Sequence, residues 1–192
     1  GGGAFLNPSN GTSTVDGVVF QDNNAAEAGG LHVYGSLILE DSLFSGNHAT
    51  GHSGALGNEG SGCTVVVYRS VFVGNSTDGN GAVVGVDHTF HPKLFTFENC
   101  LIYANTGSYA LYMPDARNNE GFVLRFTTVA DNPGGGVYSY DDLTLLNSII
   151  ANNGAVGVFT NDSGAVIDYN DVFGQTTNYA GVATAGPNDV SV

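Results

Sequence analysis

Titratable side chains concentrate in two short segments, "VDHTFHPK" from Val86 to Lys93 and "MPDARNNE" from Met113 to Glu120. Asp87, His88 and His91 in the first, with Asp115, Arg117 and Glu120 in the second, offer carboxylates, imidazoles and a guanidinium. That mixture suits binding of a metal, a sugar or a partner, or acid–base chemistry. Glu59 joins the set if the chain stacks one structural unit on the next. Spacing alone selects none of these roles. His88-x-x-His91 falls short of a zinc site, and no stretch matches the D-x-[DN]-x-[DN]-G calcium loop. No catalytic residue, metal ligand or cofactor is therefore assigned, although the acidic turns leave a structural calcium open. His48 and His52 flank a Gly-rich corner and read as surface residues.

The two segments meet only if the surrounding elements bring them together, and a repeat runs through the chain. Asn23, Asn47, Asn75, Asn105, Asn132 and Asn153 recur 21 to 30 residues apart, each preceded three positions earlier by Phe20, Phe44, Phe72, Ile102, Val129 or Ile150. A seventh copy, Asp171-Val-Phe-Gly-Gln-Thr176, is aligned with Phe173 in the aromatic position and Thr176 in place of asparagine. Upstream of each copy, apolar residues alternate with period two, the mark of a half-buried strand. The inward pairs are Ser13/Val15, Leu37/Leu39, Val65/Val67, Phe95/Phe97, Phe122/Leu124, Leu143/Leu145 and Val166/Asp168. A buried, unpaired Asp168 would be costly, so the register is least secure there. No unit carries a helical stripe. Repeats of this length point to a solenoid, and a corner residue kept in phase points to stacked coils about 4.8 Å apart. The expected fold is all-β: a right-handed single-stranded parallel β-helix of about seven to eight coils with an asparagine ladder, forming one domain over residues 1–192.

On the outward face of the long strands, Thr14, Ile38, Val66, Thr96, Val123, Thr144 and Ile167 form a mixed Thr/Val/Ile column. It is more apolar than a solvated face requires and is a candidate lateral contact. A second outward column, Asp16, Glu40, Tyr68, Glu98, Arg125, Leu146 and Tyr169, places Glu98 beside Arg125 as an expected exposed ion pair.

Composition narrows the function. Eighteen acids face four bases, for a formal charge of −14. That balance argues against nucleic acid and anionic membranes as partners. No apolar run approaches membrane-spanning length. Cys63 and Cys100, in strand-like segments with no C-x-x-C spacing, read as buried free thiols.

The combination "GG-A/L-x-V…S-x-F-x-x-N" resembles the pectin-lyase-like superfamily of right-handed parallel β-helices. Within it, the chain is most similar to bacterial choice-of-anchor and polymorphic surface repeat proteins. The resemblance covers Gly1 to Thr184 and speaks to fold more than to activity, because enzymes, adhesins and tailspikes share this architecture. It implies that lyase chemistry, where present, uses lateral loops with calcium-holding aspartates and a basic arginine or lysine; Arg69, Lys93, Arg117 and Arg125 are the few candidates. The expected function is an extracellular or cell-surface structural or adhesive module, a filament subunit included. Its partners would be copies of itself, the rest of a larger surface protein, or glycans. The alternative is a polysaccharide-active enzyme (lyase, hydrolase or epimerase) or a carbohydrate-binding module using loops 86–93 and 113–120. The binding module would need an aromatic platform drawn from Tyr34, Tyr68, Phe90 or Tyr112.

Overall fold

The computed structural model describes residues 3–6, 11–59, 62–86, 94–114 and 120–191. Every strand pairing among them is parallel, and partners lie one repeat apart in sequence. The long strands, from Thr12–Asp16 through Thr64–Tyr68 to Val166–Asp168, form one seven-stranded sheet. The three-residue strands that follow them, from Val19–Gln21 to Asp171–Phe173, form a second. A third face is split into a three-stranded sheet from Ala4–Leu6 to Leu56–Asn58 and a five-stranded sheet from Val84–Gly85 to Thr177–Gly181. The result is a parallel β-helix.

Alternation explains the core. Leu37, Leu39, Val65, Val67, Phe95, Phe97, Phe122 and Leu124 all point inward and are buried. Stacking coils in register turns like residues into columns, so Phe20, Phe44 and Phe72 lie ring over ring with centroids 4.5 and 4.8 Å apart. Those distances match the strand spacing, which lets one aromatic column fill the interior without voids.

Each corner between the first two sheets turns on a single residue at positive φ: Gly17, Asp41, Arg69, Asn99, Phe126, Asn147 and Tyr169. From Ser42 onward the next residue is buried and accepts from the amide of the coil before it. The Val18 amide donates to Ser42 Oγ at 3.1 Å, Ser42 to Ser70 Oγ at 3.1 Å, Cys100 to Thr127 Oγ1 at 3.3 Å, and Thr127 to Ser148 Oγ at 3.2 Å. The Ser70 amide donates to the Cys100 sulfur. The serine of the S-x-F-x-x-N motif marks this column at Ser42 and Ser70. The following corner carries the asparagine ladder. The Asn47, Asn75 and Asn105 amides donate to the side-chain oxygen of the next rung at 2.9 to 3.0 Å. Each side-chain nitrogen also bonds that oxygen and a main-chain carbonyl of the preceding coil.

The last coil corrects the sequence register by one residue. Ile167, not Asp168, pairs with inward Leu145; Val172, not Phe173, continues the column through Ile150. Gln175 rather than Thr176 completes the ladder, accepting the Asn153 amide at 3.2 Å. A one-residue shift sends every side chain to the opposite face. Ile167 is accordingly 9% exposed and Val166 51%, and Ile167 leaves the lateral column for the core, with Val166 taking its place beside Thr144. Asp168 replaces Tyr169 next to Leu146 and is bonded by Asn188 through its amide at 2.8 Å and Nδ2 at 3.0 Å. Burying an isoleucine while leaving the carboxylate outside is the favourable choice.

Candidate functional site

Of the cluster expected from the sequence, Asp87, His88, His91, Asp115 and Arg117 lie outside the described residues. Glu120 is buried just before strand Gly121–Arg125. Glu59 belongs to a different constellation, one the repeat pattern did not reveal.

That constellation arises from the third face. Its outward column runs Phe5, His32, Gly57 in register, and farther along Gly85, Tyr112, Tyr138, Phe159. The two glycines interrupt a row of rings and border a hollow of about 200 Å³, lined by Glu27, His32, His52, Ser53 and Glu59 among others. A Cβ at Gly57 would meet the Ala28 methyl at 2.7 Å, so the wall is closely fitted there. His32 is 6% exposed, held edge-on by Phe5 at 5.6 Å and stacked on Tyr34 at 5.2 Å.

Glu59 Oε1 lies 3.2 Å from His32 Nε2, yet neither ring nitrogen of His32 has an aligned hydrogen-bond partner. The distance is that of an ion pair, but the direction is not that of a hydrogen bond, and the angular test governs here. Tyr34 donates its hydroxyl to Glu59 Oε2. That bond, with burial and the carboxylate charge, pushes the phenol above its ordinary pKa. Two other donors around the hollow are engaged. Ser53 Oγ donates to the Gly85 carbonyl at 2.7 Å, and Asn58 Nδ2 to the Gly35 carbonyl at 2.7 Å. Glu27 Oε2 accepts the His52 amide at 3.0 Å. His52, read from sequence as a surface residue, is therefore part of this wall. Among the described residues, no three His, Cys, Asp or Glu side chains are arranged to hold a metal ion.

The remaining expected sites separate. Thr14, Ile38, Val66, Thr96, Val123 and Thr144 share one outward column. Glu98 and Arg125 are neighbours in register, but among the described residues the ion pairs of this face are those of Arg69, with Glu40 at 2.7 Å and Asp41 at 2.9 Å. Cys63 is half-buried and Cys100 buried; burial pushes the Cys100 thiol up to about 11. Of the aromatics, Tyr34 is engaged by Glu59, while Tyr112 belongs to a stack with Tyr138 and Phe159 at 4.9 and 4.3 Å. Tyr138 and Phe159 cover each other's faces at 3° interplanar angle, so they offer edges rather than a flat sugar platform.

One apolar feature went unnoticed in the sequence. Phe126, Ile149, Tyr169 and Val190 converge on an open depression at the first corner, with Phe126 55% and Tyr169 60% exposed.

Residues 82–192 match the family model described as the right handed beta helix region, and the chain belongs to that family. No curated protein and no solved structure matches it. No helix among the described residues is long and apolar enough to cross a membrane.

Proposed function

We propose that the chain serves outside the cell as a structural, adhesive β-helix module rather than an enzyme, acting within a larger surface protein or alongside copies of itself. The observation that carries this reading is the corner occupied by Phe126 and Tyr169. Both residues sit at positive φ, 50° and 59°, in a column otherwise filled by Gly, Asp, Asn and Arg. A left-handed backbone costs an L-residue about 1–2 kcal/mol, and bulky residues are seldom found there. Neither ring is buried in return. Large apolar side chains held at a backbone cost on a rigid wall favour contact with another surface.

The test is retention of the purified domain on surfaces coated with polysaccharides or mucin. Phe126→Asn with Tyr169→Asn keeps residues that tolerate the left-handed turn, so folding should be unchanged or slightly improved while retention falls. Retention unaffected by the double substitution would overturn the assignment.

A glycan-active reading draws its support from the two carboxylates and the imidazole at the Gly57 hollow. It requires turnover that Glu59→Gln removes, and a screen of neutral and acidic polysaccharides decides it.

A further inference from the structure

The Gly57 hollow has a chemistry independent of the adhesive corner. We propose that it is a binding site for a small protonated amine, such as an amino sugar or a simple alkylammonium. Three observations converge. The hollow lies where two outward positions on the third face carry no side chain, Gly57 beside His32 and Gly85 beside Tyr112. Its volume, about 200 Å³, is that of a ligand no larger than roughly a monosaccharide.

Its polar groups are unbalanced. Tyr34, Ser53 and Asn58 already direct their donors at Glu59, Gly85 and Gly35. Glu27 and Glu59 are acceptors only when ionised and have lone pairs beyond those in use. A ligand entering here finds spare carboxylate lone pairs to donate to, beside the unpartnered ring nitrogens of His32 and His52 Nδ1. Two carboxylates on a chain of formal charge −14 exclude an anionic donor in favour of a cationic one.

His32 supplies the independent sign of a missing partner. Its side chain lines the hollow, is more than nine-tenths buried and has both ring nitrogens without an aligned partner. Buried polar groups in native proteins are normally satisfied. Whichever ring nitrogen is unprotonated presents a lone pair, and an ammonium group has three donors to share among acceptors of this kind.

The experiment is an NMR titration of the 192-residue chain at neutral pH and constant ionic strength. Glucosamine is the cationic sugar, glucose and glucuronate are its neutral and anionic counterparts, and methylammonium is the amine without a sugar. The expected result is saturable shifts at His32, His52 and Gly57 with glucosamine, at roughly millimolar concentration, and none with glucose or glucuronate. Glu27→Gln and Glu59→Gln, each of which keeps an oxygen acceptor in place, should weaken glucosamine binding at least about tenfold, which is about 1.4 kcal/mol. Methylammonium binding as well as glucosamine would assign recognition to the ammonium group alone; weaker methylammonium binding would add the sugar ring to it. Equal binding of glucose, no saturable shift with either amine, or unchanged affinity in both variants would overturn the proposal. None of these outcomes depends on retention at the Phe126–Tyr169 corner.

Discussion

Asn75 is the most informative position in the scaffold. Replacing it with alanine removes four hydrogen bonds: those its Oδ1 accepts from the Asn47 amide and Asn47 Nδ2, and those its Nδ2 donates to the Phe44 carbonyl and Asn105 Oδ1. The consequences for the partners differ. Asn105 Oδ1 still accepts the Asn75 amide at 2.9 Å, and Asn47 Nδ2 keeps the Phe20 carbonyl. The Asn47 amide is left without its acceptor, on a residue that is 0% exposed. An orphaned buried donor costs about 1–3 kcal/mol, and each remaining bond about 0.5–1.5 kcal/mol net. Asn75→Ala should therefore destabilise by about 2.5–7.5 kcal/mol. Asn23→Ala, at the half-buried end of the same ladder, deletes only the 2.8 Å bond from Nδ2 to Asn47 Oδ1 and should cost about 1 kcal/mol or less. Urea unfolding followed by circular dichroism measures the difference. Exchange of the Asn47 amide with deuterium localises it, which guards against coils that do not melt as one unit. Equal destabilisation by the two substitutions, or an Asn47 amide as protected in Asn75→Ala as in the parent, would refute the ladder as a source of stability.

Four further expectations follow from particular contacts. Ile167→Ala should cost about 2–3 kcal/mol as a core truncation, whereas Val166→Ala should stay within about 0.5 kcal/mol; the opposite order in denaturant melts would restore the other register. Cys100 occupies a hydroxyl position, so Cys100→Ser should preserve the fold to within about 1.5 kcal/mol, and at ~pH 8 the parent thiol should resist alkylation until unfolding because it remains protonated. The Arg69 guanidinium holds the Asp41 carboxyl below its usual range, with the hydrogen bond the larger cause. The resulting stabilisation is present above the ordinary carboxylate pKa and is lost as pH falls through the lowered one. In Arg69→Ala, NMR should find Asp41 titrating at higher pH, and no change would contradict the pairing. Asp189 accepts the Asn170 amide at 2.7 Å and the Tyr179 hydroxyl at 2.7 Å. Burial and this carboxylate push the Tyr179 phenol far above its ordinary value, so Asp189→Ala should make it ionise at lower pH in ultraviolet titration and expose the Asn170 amide to exchange.

The asparagine ladder was legible because one residue type recurs in one phase. The hydroxyl ladder was legible only in part: serine marks it at Ser42, Ser70 and Ser148, whereas Cys100, Thr127 and Asn170 fill the same role with other side chains. Their common requirement is a short inward acceptor after a left-handed corner, and that is a property of the backbone. The final coil misled for a different reason. Phe173 invited alignment with the aromatic column, while the penalty for burying Asp168 pointed the other way and decided the fold. Candidate chemistry was hardest to see because it is assembled across coils. Glu27 and His32 belong to one turn of the β-helix, around strand Leu31–Val33, and His52 and Glu59 to the next, around strand Leu56–Asn58. Stacking rather than sequence spacing joins the two pairs.

The most direct test of the adhesive assignment measures retention and product release on the same polysaccharide-coated surface. The account predicts retention that depends on Phe126 and Tyr169, with no new reducing ends and no unsaturated sugar in the wash. Release of either product, abolished by Glu59→Gln, or failure of the chain to be retained on any coated surface, would contradict it.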